Sequence, residues 1–167
     1  MTELLFLISI PVIIALIFMQ SFKHCSSSQI LVISNKNELS PQRKIVPPSG
    51  FGFVNPLSQK YAYIELFEAY PFELSDNFFE ENEYAETYDC LVGLCEGEQY
   101  YETFAQNLAG LDRNGIIEIA KNIIGKELKE IAKEVKYTDF YDLKNYGKYK
   151  KQINEKLNKV GLQLSDI

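Results

Sequence analysis

The chain has no tryptophan, a single histidine (His24) and only three cysteines in 167 residues. Each shortage closes off a class of function. With His24 as the one imidazole, close to the N-terminus, no Ser/His/Asp or Cys/His constellation is available to the rest of the chain. Cys25, Cys90 and Cys95 are odd in number and lack framework spacing, so no disulfide scaffold is expected. They fit a reducing compartment. Cys90 and Cys95 are five apart; on a strand they would point to opposite faces and could not share a metal. They read as buried structural thiols. Basic residues are also short: 17 Lys and Arg stand against 23 Asp and Glu, for a net charge of −6. Nucleic acid is therefore not an expected partner.

What is present argues for folding. The chain is 46% hydrophobic and 24% charged, with 11 Tyr and 11 Phe, well outside the composition of disordered segments. Its length allows one domain of common size behind a short N-terminal segment.

That segment is the strongest single feature. Residues 4–19 read LLFLISIPVIIALIFM without a charge. Leu4, Leu5, Phe6, Leu7, Ile8, Ile10, Pro11, Val12, Ile13, Ile14, Leu16, Ile17, Phe18 and Met19 are the candidate membrane-anchor residues. As a helix they reach roughly 24 Å against a hydrocarbon core of about 30 Å. Adding Gln20, Ser21 and Phe22 makes a thin span. Pro11 removes one helical hydrogen bond and is expected to kink the helix. Three readings fit: a single-pass anchor, a secretory signal peptide, and a re-entrant or monotopic insertion. The anchor is favoured over the signal peptide, because MTE carries no Lys or Arg and no A-x-A site follows. A core helix fits least, since the run has no polar face. Lys23, Lys36, Arg43 and Lys44 follow the segment, which puts the remaining chain on the cytoplasmic side. Cys25 is a candidate acylation site beside the membrane, although an unmodified thiol is the simpler expectation.

Behind residues 1–24, residues 25–28 read as a polar linker and 29–167 as an α+β domain. Short strands are expected at 29–34 (QILVIS), 44–46, 51–54, 61–67 and 69–74, with Pro71 at an edge or bulge. Turns are expected at 35–42, 47–50 and 55–56. Gly50 and Gly52 form a bare G-x-G without a following helix, and so a turn rather than a phosphate cradle. Residues 80–89 gather Glu80, Glu81, Glu83, Glu86 and Asp89, read as a solvated acidic loop in preference to a Ca²⁺ site. CLVGLC, residues 90–95, is a buried strand candidate.

The second half changes period. Residues 100–108 read as one helix. Asp112 or Asn114 caps the next, whose stripe is Ile116, Ile117, Ala120, Ile123, Ile124, Leu128, Ile131 and Val135. A helical turn near Thr138 or Asp139 leads to a narrower stripe at Tyr146, Tyr149, Ile153, Leu157 and Val160. Gly161 ends that helix, and Leu162, Leu164 and Ile167 alternate as a last strand. The basic group at 148–151 reads as a solvated helix face rather than a lipid contact. Strands, then helices, then a strand make an α+β fold, with a small antiparallel sheet and C-terminal helices behind an N-terminal membrane helix.

In this order, an apolar segment, QILVIS, KIVPPSGFGFVNPLSQKYAYIELFEAYPFEL and the helix–turn–helix–Gly–strand ending at 116–167, the chain resembles the SPFH (band 7, prohibitin homology) family, and flotillins most of all. Residues 77–97 are compressed and acidic beside the family pattern. The sequence also stops at Ile167, where the family continues into a long charged coiled coil associated with oligomerisation. The resemblance implies a membrane-associated scaffold that organises membrane microdomains or membrane-protein complexes by lateral association. Its partners would be membrane lipids, its own copies or other SPFH-family subunits, and client membrane proteins. It implies no enzyme activity, cofactor, metal or catalytic residue. The alternatives are a secreted or periplasmic binding domain with a cleaved signal peptide, and a membrane-bound hydrolase using acidic residues.

Overall fold

The computed structural model describes residues 2–36, 42–79, 85–140 and 142–167, with the backbone alone for residues 2–10, 137–138 and 143–144. The apolar run folds as helix α1 (Thr2–Ser21). Strands β1 (Phe22–His24), β2 (Gln29–Asn35), β3 (Arg43–Val46), β4 (Phe51–Phe53), β5 (Gln59–Glu65), β6 (Ala69–Asp76) and β7 (Glu86–Leu94) follow. Helices α2 (Tyr101–Asn107), α3 (Arg113–Glu134), α4 (Tyr137–Phe140) and α5 (Leu143–Leu157) lead to the last strand, β8 (Leu162–Asp166). The α+β class is as the sequence reads. In place of one sheet, the described residues form three small antiparallel ones: β1-β4, β3-β2-β5 and β6-β7-β8. Among the described residues, no helix is long and apolar enough to cross a membrane.

Contacts divide the chain into two units, Met1–Glu65 and Leu66–Ile167. The division falls inside the stretch read from sequence as one domain. Phe22, Lys23 and His24, assigned to the anchor segment, instead form β1 and pair with β4 in the register Phe22↔Phe53 and His24↔Phe51. The supposed linker is also part of the fold. Cys25 is fully buried in a core with Leu31, Ile33, Val46 and Val54, and its N–H donates to the Gly50 carbonyl at 2.9 Å. Strand β4 lies directly over that core. A Cβ at Gly52 would come within 3.0 Å of Val46, Ile33 and Leu31 side-chain carbons, so the crossing needs a residue without one.

In the second unit β7 follows the two-residue period of a half-buried strand. Glu86, Tyr88, Cys90, Val92 and Leu94 point inward. The acidic loop expected at 80–89 is thus strand from Glu86 onward. The Glu86 carboxylate is buried and accepts the Phe78 N–H at 3.0 Å. Glu80, Glu81 and Glu83 lie outside the described residues, as do positions 37–41 of the turn expected at 35–42. Pro71 sits on edge strand β6, in register with Leu91 of β7, the kind of strand on which proline is tolerated. Asp112 caps α3, its side chain accepting from the Gly115 N–H at 2.8 Å. Ile116, Ala120, Ile124, Leu128 and Ile131 bury one stripe of α3. The buried Glu127 pairs across to Lys156 of α5 at 3.7 Å. On α5, Asn154 closes the edge of β8: its amide accepts from the Leu164 N–H at 2.6 Å and donates to the Leu164 carbonyl at 3.2 Å.

Candidate functional site: an apolar helix and its aromatic collar

Every described residue of α1 from 11 to 20 is exposed. Val12, Ile13, Ile14, Leu16, Ile17, Phe18 and Met19 each present half or more of their surface. At 100° per residue these positions cover the whole circumference of the helix. An ordinary surface helix buries one stripe and shows water a polar face; this one does neither. A helix apolar all round belongs in a protein core or in lipid. Of the named anchor residues, Leu4, Leu5, Phe6, Leu7, Ile8 and Ile10 are placed by backbone only, their side chains being outside the described residues. The helical assignment continues past Pro11, which lacks the N–H that would bond the Leu7 carbonyl.

The helix passes into β1 without a spacer. Ser21 is buried; its hydroxyl donates to the Ile17 carbonyl at 2.8 Å and its own carbonyl accepts the Val54 N–H at 2.8 Å. The β1–β4 pairing then gathers aromatic rings around the foot of α1. Phe18 lies 5.2 Å from Phe22 and 5.8 Å from Phe53 between ring centroids, and Phe22 lies 5.5 Å from Phe53. His24 rests on Phe51 at 4.8 Å. On β5 the exposed Tyr61 and Tyr63 stand 5.8 Å apart. The Tyr63 hydroxyl donates to the His24 carbonyl at 3.1 Å, and the Lys23 ammonium sits 4.8 Å above the Tyr61 ring. Tyr61 and Tyr63, apolar rings with polar tips beside an apolar helix, are the residue type enriched in membrane–water interface belts.

Charge follows the same division. Residues 1–65 carry five Lys and Arg against three acids, and residues 66–167 carry twelve against twenty. The excess of positive charge lies in the unit that holds the apolar helix. The basic group at 148–151, by contrast, is engaged within the second unit: Lys148 and Lys150 lie over the rings of Tyr149 and Tyr146.

The three thiols have no nucleophilic setting. Cys25 is withdrawn from the surface and donates to the Gln29 carbonyl at 2.9 Å, so the candidate acylation site is not presented to an acyl donor in this fold. Burial, reinforced by the charge of Glu65, pushes its pKa up. Burial and the neighbouring Asp89 push Cys90 up to about 11; burial alone does the same for Cys95, whose thiol donates to the Leu162 carbonyl at 3.2 Å. At about pH 8 a thiol with pKa about 11 is ionised roughly one part in a thousand. Native protein should therefore react slowly with iodoacetamide at all three cysteines and rapidly once denatured. Fast labelling of the native chain would contradict these burials.

The collar was not visible in sequence. Phe51 and Phe53 share one face of β4, a spacing that could be noticed, but their meeting with Phe22 depends on β1–β4 pairing across about thirty residues. No protein-family model and no curated protein sequence matches the chain.

Proposed function

We propose that this protein is a membrane-associated scaffold, held by α1, with its folded units on the cytoplasmic face, and that it organises lipids or membrane proteins through lateral contacts without chemistry of its own. The single observation that carries the membrane part is the exposure of an apolar surface around the full circumference of α1 over residues 11–20, continuous through Phe18 with the rings of Phe22 and Phe53. Within α1 the apolar run covers residues 4–19, roughly 24 Å of helix against a hydrocarbon core of ~30 Å, a length that suits a thin or kinked insertion. Lys23, Lys36, Arg43 and Lys44 on its C-terminal side favour a cytoplasmic position for the rest of the chain. The scaffold role follows the resemblance to SPFH-domain proteins.

The alternative of a released binding domain requires loss of α1. Ser21 and β1 are built into the fold of the first unit, which favours retention of the helix that leads into them. Cross-linking of the full chain in vesicles at rising protein density tests the lateral contacts. Dimers and larger species that grow with density are expected; a monomer at every density would contradict association.

A further inference from the structure

At the foot of α1 an open cleft of about 430 Å³ is lined by Lys23, Lys36 and Lys60, with Gln20 and Gln59 beside them. That size lies within the range of small-ligand sites, roughly 300–1,000 Å³. The three lysines come from separate places: β1, the residue after β2, and β5. The fold, not a local run of sequence, brings them together. Among the described residues no carboxylate lines the cleft. Glu65, at the far end of β5 from Gln59, is bonded to Gln29 and Ser28 instead. Lys36 is fixed, its ammonium donating to the Pro56 carbonyl at 2.7 Å and its N–H to the Ser58 carbonyl at 2.8 Å. Lys23 is held over the Tyr61 ring. Neither Lys23 nor Lys60 has an ion-pair partner among the described residues. Like charges gathered without a counter-charge repel, and an anion relieves that.

We propose that this cleft binds the phosphate of an anionic phospholipid headgroup. The proposal rests on the membrane reading above. The cleft begins at Gln20, directly after the last apolar turn of α1, so with the helix in a bilayer it opens at headgroup depth. The glutamine amides and the Tyr61 hydroxyl supply neutral donors for ester and glycerol oxygens.

The test uses the full chain in neutral detergent micelles, titrated with short-chain phosphatidylglycerol, short-chain phosphatidylcholine or inorganic phosphate and followed by the ³¹P resonance. Phosphatidylglycerol should bind about tenfold or more tightly than either of the others. K23Q/K60Q should lose about tenfold, and K60Q alone, which removes an ammonium with no ion-pair partner among the described residues, about threefold. R43Q/K44Q, which removes the same charge from exposed positions on β3 outside the cleft, should change affinity less than about twofold. Equal binding of the two lipids overturns the proposal. So does phosphate binding as tightly as the lipid, which would make this a soluble-anion site. A loss in R43Q/K44Q matching that in K23Q/K60Q would reduce the effect to diffuse charge and also overturn it. Failure of the membrane reading shows separately, as release of the wild-type chain from membranes at alkaline pH, a result the micelle titration does not depend on.

Discussion

Replacing Ile14 with aspartate should detach the protein from membranes. Ile14 is 60% exposed on a helix whose described neighbours from 11 to 20 are all exposed as well. It belongs to neither folded core, so the substitution leaves both units intact. In lipid, a carboxylate near the centre of an inserted apolar helix costs up to about 2.5–3.5 kcal/mol, or roughly two orders of magnitude in partition. The run has no polar face into which the helix could rotate to hide the charge. Flotation with neutral vesicles measures this directly: wild type and I14V should float, and most I14D should remain at the bottom of the gradient. Equal flotation of I14D and wild type would mean that α1 is not what holds the chain to lipid.

The second large effect belongs to the other unit. Phe104 of α2 is fully buried, beside the rings of Tyr100 and Tyr101 at 6.3 Å and 6.2 Å. It also fills the space over Gly161, where an added Cβ would stand 2.5 Å from the Phe104 ring. Gly161 has φ +88°, the left-handed turn that ends the last helical segment before β8. Phe104→Ala should cost about 3–5 kcal/mol, a large share of a typical domain stability of about 5–15 kcal/mol. Gly161→Ala meets two obstacles, the ring and the backbone angle; the angle alone costs about 1–2 kcal/mol. The double variant should be less destabilised than the sum of the two, by about 1–3 kcal/mol, because the cavity left by Phe104 accepts the new methyl group. Chemical denaturation of the full chain in detergent, followed by circular dichroism, reads all three. Strict additivity would mean that Phe104 and Gly161 do not meet. Phe104→Ala should leave vesicle flotation unchanged.

These two predictions draw on features of different legibility. Helix α3 could be read from its residues alone, because its cap Asp112 and its stripe from Ile116 to Ile131 are local patterns with a fixed period. The same holds for Gly161 as a stop, and for the second half of β7, where residues 90–95 read as a buried strand. The charge-free run at 4–19 was equally plain. The first unit was harder. Phe22, Lys23 and His24 continue an apolar segment in sequence, and nothing local marks them as a strand; only pairing with residues 51–53 makes them one. Residues 25–28 look like a polar linker, yet Cys25 is buried through contacts with Leu31, Val46 and Val54, which sequence order does not bring together. The lysine cleft was invisible for the same reason. Lys23, Lys36 and Lys60 had meaning in sequence only as scattered positive charge, and the β2–β5 register is what unites the last two. The acidic stretch misled in the other direction: composition suggested a loop to its end, whereas Glu86 and Asp89 obey the two-residue period of β7.

Alkaline carbonate extraction of membranes from cells making the full chain tests the central claim most directly. Peripheral proteins held by charge are stripped under these conditions, and helices buried in lipid are not. The protein should stay in the membrane pellet. Its recovery in the supernatant would contradict the membrane anchor, and with it the scaffold built on that anchor.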